Sequence, residues 1–167
     1  MEERVIKSER RMSNTALFWS LVFAIVGIGT TIAYCSGIMN GIRGIQRAPF
    51  VAPDWLVIAL PPVLFVHQAL AMYLTLKQNV YTTNGRMVRL WTWAFQIMLF
   101  LLLAFLPYFV FHSMPVGAYI VSTFAAAMAL GATILTYRQT VGGGVLMTIL
   151  FAVTTVVMIY LGYWAFA

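Results

Sequence analysis

The chain has 167 residues, of which 62% are apolar and only 8% charged, with a formal net charge of +6 and a mean hydropathy of +0.91. So little polar surface cannot cover a water-soluble domain, and six prolines and one cysteine are too few for a disordered, collagen-like or disulfide-stapled chain. The balance is that of an all-α integral membrane protein, because its apolar runs are continuous rather than alternating and helices satisfy their own backbone groups in lipid.

A spanning helix takes about 20 apolar residues. Apolar windows predict five spans, at 16–34, 55–76, 88–111, 116–137 and 145–166. Residues 1–167 therefore read as one transmembrane domain, a five-helix bundle. Ahead of the first span lies a basic tail with Arg4, Lys7, Arg10 and Arg11. The span itself is too long and too rich in Gly and Thr for a signal-peptide core, and Tyr34 is not the small residue that a lipoprotein cleavage before Cys35 requires.

The connection from Cys35 to Asp54 is about twenty residues long. It contains Gly37, Gly41, Gly44, Pro49 and Pro53. Long connections in compact bundles are lids or solvated linkers; the apolar Ile42, Ile45, Phe50 and Val51 favour a loop packed over one end. In the second span, Pro61-Pro62 removes two backbone N–H groups and predicts a kink, while His67 and Gln68 are polar groups in an apolar run. Each of those two reads either as a helix-to-helix hydrogen bond or as a ligand contact.

Asn84-Gly85 predicts a turn before the third span, which carries Gln96 with the same two readings. Around Ser113 to Pro115 the connection is short enough only for an antiparallel hairpin. The fourth span has Ala125-Ala126-Ala127 and Gly131, small residues that suit close packing within one bundle or at a homodimer face. Trp91, Trp93, Tyr108, Tyr160, Tyr163 and Trp164 cluster at span ends, where interfacial anchoring is their ordinary role.

With five spans, eight of the ten Lys and Arg residues fall on the side of the N-terminus and two, Arg43 and Arg47, on the other. The positive-inside rule then predicts a multi-pass protein with its N-terminus in the cytoplasm and Ala167 outside; a bacterial cytoplasmic membrane is the expected setting. The basic residues sit at span ends rather than in a stripe, which argues against nucleic acid. The only carboxylates, Glu2, Glu3, Glu9 and Asp54, lie outside the apolar runs, so carboxylate-based proton pumping or catalysis lacks its parts. One cysteine and two histidines are too few for a metal site, and no cofactor is expected.

The stretch Pro49-Phe50-Val51-Ala52-Pro53-Asp54-Trp55-Leu56, followed by Phe65 and Tyr73-Leu74, resembles the first loop and second helix of the TspO/MBR family, the tryptophan-rich sensory or translocator proteins. Ala94-Phe95-Gln96-Ile97-Met98-Leu99 is similar to the start of that family's third helix, and Tyr108-Phe109 with His112 to its end. The long first loop, short later ones and five spans match as well. The resemblance implies a pocket under the first loop for a flat, largely apolar ligand such as a tetrapyrrole or sterol, sensed or transported. It implies Trp55, Phe65, Gln96 and Phe100 as ligand-facing residues, to which the polar His67 and Gln68 of the same span are added as candidate contacts, and Pro49, Phe50 and Pro53 as the lid. Membrane lipids, a small hydrophobic ligand and a second copy are the implied partners.

The chain departs from the family pattern at several ligand-recognising positions. Pro61, Phe65 and Gln68-Ala69 stand where the family has tryptophan, tyrosine and methionine-glycine. Phe100 and Leu103 replace an asparagine and a tryptophan, and Leu161 stands where an asparagine is common. These differences support an alternative reading, a structural or partner-binding membrane subunit that keeps the fold without the pocket. A third, an enzyme acting on a lipid or porphyrin, would depend on His67 with no nucleophile or carboxylate beside it.

Overall fold

The computed structural model describes residues 14–30, 32, 54–77 and 83–166, with side chains from Ala59 onward in the second helix. The described residues form five helices and no strand: α1 (Asn14–Thr30), α2 (Asp54–Lys77), α3 (Thr83–Phe111), α4 (Pro115–Tyr137) and α5 (Val141–Phe166). Four carry apolar stretches of 19 to 26 residues, long enough to cross a membrane, while α1 is apolar and shorter. At about 1.5 Å per residue the shortest of the four covers about 29 Å, close to the thickness of a hydrocarbon core. The fold is an all-α membrane bundle.

Polar and apolar residues are distributed as lipid requires. Phe105, Phe124, Ile134, Ile149 and Val156 are exposed, whereas Gln68, Thr75, Thr92, Gln96, Ser122 and Thr154 are buried. The buried positions recur three, four or seven apart, as 118, 122, 125, 129, 132 and 136 on α4 and 143, 147, 150, 154 and 161 on α5. That spacing keeps one seam facing its neighbours in nearly antiparallel packing. Because most seam residues on α4 are Ala, Ser or Thr, backbones approach closely, which is the principal source of helix association in lipid. Across this seam Thr133 donates to the Met147 carbonyl at 3.0 Å.

The α4–α5 pair shares the broadest contact, followed by α3–α4, and α2 packs more extensively on α5 than on its chain neighbour α3. Helix α1 reaches α2 where a Cβ on Gly27 would strike Phe65. It meets α3 through the Trp19–Trp93 and Phe23–Phe100 ring pairs. A central cluster draws Phe65 and Ala71 from α2, Leu99 from α3, Ala129 from α4, and Met147 and Leu150 from α5.

Two helix starts depart from the expected boundaries, and the α2 span does not. Asn84 and Gly85 lie in the first turn of α3 rather than in a turn before it; the first four N–H groups of a helix have no intrahelical partner, so Asn and Gly are tolerated there. Helix α5 likewise starts at Val141 and takes Gly142, Gly143 and Gly144 into its first turn. A Cβ on Gly143 would approach the Thr140 and Thr136 methyls at 2.7 and 2.9 Å, so this sharp α4–α5 corner requires the missing side chain. Helix α2 runs through Pro61 and Pro62 as one element.

The α3–α4 corner closes without glycine. Ser113 has φ 52°, and its N–H and that of Met114 donate to Val110 and Phe109 carbonyls at 3.1 and 2.9 Å. This is the double-bonded helix ending in which the left-handed residue is ordinarily Gly. Pro115 then opens α4 at a position whose N–H would be unpaired in any case.

Candidate functional site

Two of the three polar residues that stand out in the apolar runs, Gln68 and Gln96, meet at mid-bundle. Gln68 is in the middle of α2 and Gln96 in the middle of α3, and both are sealed from the surface, at 0% and 1% exposure. The Gln68 Nε2 donates to the Gln96 backbone carbonyl at 2.6 Å. Gln68 Oε1 and both amide atoms of the Gln96 side chain are buried with no hydrogen-bond partner among the described residues. A buried amide left unpaired costs on the order of 1–3 kcal/mol, so three such atoms side by side on α2 and α3 are an expensive feature for an apolar bundle.

Aromatic rings flank these amides. Phe65, one turn before Gln68, is buried and lies edge-on to Phe100 at 5.4 Å between centroids; Phe100 in turn meets Phe23 of α1 at 4.5 Å. The structure thus brings Phe65, Gln68, Gln96 and Phe100 together. His67 is half-buried on a different face of α2 from its neighbour Gln68. Trp55 is the second residue of α2, and its side chain lies outside the described part. Pro49, Phe50 and Pro53, the lid positions, lie outside the described residues as well.

A second set of residues stood out less in the sequence. Thr15, Ala16 and Trp19 of α1, Leu76 of α2, and Arg89 and Trp93 of α3 line an open cavity of about 240 Å³ at the end of the bundle where α2 finishes and α3 begins. The Arg89 guanidinium donates through Nη2 to the Leu76 carbonyl at 2.8 Å, capping the last turn of α2. The Trp19 and Trp93 rings stand edge to face, 6.3 Å apart at 78°. Sequence spacing could not place α1 against α3, so only the basic residue and the two indoles at span ends hinted at this site.

A third polar group joins the α4–α5 corner to α3. The Gln139 Nε2 donates to Thr92 Oγ1 at 2.5 Å, and the Thr92 hydroxyl in turn donates to the Val88 carbonyl at 2.7 Å. Gln139 Oε1 and Thr136 Oγ1 remain buried without partners among the described residues.

Comparison with protein-family models, with curated proteins and with solved structures finds no match to this chain.

Proposed function

We propose that this chain is a membrane-embedded ligand-binding protein, resembling the TspO/MBR family, that holds a flat, largely apolar molecule of tetrapyrrole or sterol shape for sensing or transport. The observation that carries this reading is the set of unpaired amide atoms of Gln68 and Gln96 beside the Phe65 and Phe100 rings. A mainly apolar lining with one or two convergent polar groups suits burial of such a molecule with a fixed orientation. Because the rings now occupy the space next to the amides, the ligand enters by displacing them, and α1, which meets α2 and α3 through those rings, is the helix that gives way.

A second reading, a structural or partner-binding subunit without a pocket, is favoured by the tight closure of Phe65 against Gly27. Protoporphyrin titration in detergent, followed by tryptophan fluorescence, separates the two. The ligand reading expects saturable quenching, weakened about thirtyfold or more by Trp55→Ala and little changed by Trp164→Ala at the far end of α5. Absence of saturable quenching, or equal effects of the two substitutions, favours the second reading. In either case the proposed setting is a bacterial cytoplasmic membrane with the N-terminus inside, and a second copy is the proposed protein partner.

A further inference from the structure

The cavity between the start of α1, the end of α2 and the start of α3 has the chemistry of a lipid headgroup site. Arg89 lies one helical turn inside the apolar stretch Gly85–Val110 and Trp93 one turn deeper, so with about 5.4 Å per turn the cavity runs from headgroup level into the first part of the acyl region. The Arg89 side chain is held there by its bond to the Leu76 carbonyl. A guanidinium presents five N–H donors in a planar fork suited to phosphate oxygens.

The two indoles supply a second observation. Trp19 and Trp93 fix one another edge to face on the cavity wall, and among the described residues neither indole N–H donates to a protein acceptor, although both line the opening. Indole N–H groups at this depth serve phosphate or glycerol-ester oxygens while the rings lie along the chains. Leu76 and Ala16 complete an apolar floor. Lys77, Arg86 and Arg138 lie at the same end of the bundle and add a positive field that draws an anionic headgroup to this leaflet.

We propose that this cavity binds one anionic phospholipid, its phosphate on Arg89 and the indole N–H groups and its upper acyl chain against Trp93, Leu76 and Ala16. The site is separate from the Gln68–Gln96 amides and does not depend on the ligand reading of the bundle interior. Native mass spectrometry of the full chain from detergent micelles, with phosphatidylglycerol or phosphatidylcholine of the same acyl chains, tests it. One phosphatidylglycerol per chain should be retained where phosphatidylcholine is lost. Arg89→Gln should weaken retention about tenfold, and Arg86→Gln, which removes an equal charge at the same end, should not. Since Arg89 also caps α2, Trp93→Phe keeps that cap and should still weaken retention severalfold. Equal retention of the two lipids, an equal loss in Arg86→Gln and Arg89→Gln, unchanged retention in Trp93→Phe, or displacement of the lipid by inorganic phosphate would each overturn the proposal.

Discussion

Phe65 of α2 occupies the space that Gly27 of α1 leaves by having no side chain: a Cβ at position 27 would fall onto the ring and 2.7 Å from the Phe65 Cβ. Phe65 is only 2% exposed, so it has no open volume to move into. Gly27→Ala carries a helix-propensity gain of about 1 kcal/mol against an overpacking cost of about 1–3 kcal/mol, and the collision with the rigid Cβ decides for the cost. Thermal unfolding in detergent should show a lower Tm for Gly27→Ala. The double variant Gly27→Ala/Phe65→Leu should lose less than the two single variants added together.

Ser113→Gly should stabilise the protein. A non-glycine residue in the left-handed region costs about 1–2 kcal/mol, and the bonds that require this conformation at Ser113 come from the backbone N–H groups of Ser113 and Met114, which glycine preserves. The expected gain is about 1 kcal/mol, read as a shift in the denaturant midpoint in mixed micelles. Ser113→Val, whose branched side chain suits φ 52° still less, should move the midpoint the other way.

Gln96→Leu should raise stability and lower ligand affinity at once. The Gln96 side-chain amide is buried with no partner among the described residues, and its link to Gln68 runs through its backbone carbonyl, which leucine retains. Unfolded helices in a membrane also find partners for polar groups, so the gain is about 1 kcal/mol rather than the full desolvation penalty. Calorimetry alongside porphyrin titration gives both readouts. A lower Tm would show that the amide is satisfied in the working protein.

Topology can be read by labelling. In a Cys35→Ser background, Ser8→Cys should be shielded from a membrane-impermeant thiol reagent in intact cells and Ala167→Cys should react. The expectation rests on eight basic residues on the N-terminal side against two on the other. A reactive position 8 with a shielded position 167 would invert the orientation.

The helical bundle was legible because lipid leaves few alternatives: long apolar runs bounded by Lys77, Arg86 and Arg138 define α2 to α5 within a few residues. Gln68 and Gln96 were legible as interior groups for the same reason, since a polar residue flanked by apolar ones has nowhere else to go. The start of α3 was misread because Asn84-Gly85 serves a turn and a helix's first turn equally well. Ser113 carried no signal at all, its conformation being imposed by the corner rather than by its side chain. The Trp19, Arg89 and Trp93 grouping depends on how α1 leans on α3, a register set by the fit of Phe23 to Phe100 and of Phe65 to Gly27. No local pattern encodes that register.

Helix α2 packs more broadly on α5 than on α3, although α3 follows it directly in the chain. Synthesis from the ribosome delivers these helices in order, so α2 enters the membrane well before its main neighbour has been made. Through that interval the α5-facing side of α2 faces lipid or the insertion machinery, and α3 supplies the bond between Gln68 and the Gln96 carbonyl and the Arg89 bond to the Leu76 carbonyl. The ring of helices closes last, when the α4–α5 hairpin folds back onto α2. A chain shortened ahead of Val141 would therefore leave α2 exposed along its whole α5-facing side, the state that membrane quality-control proteases are built to detect.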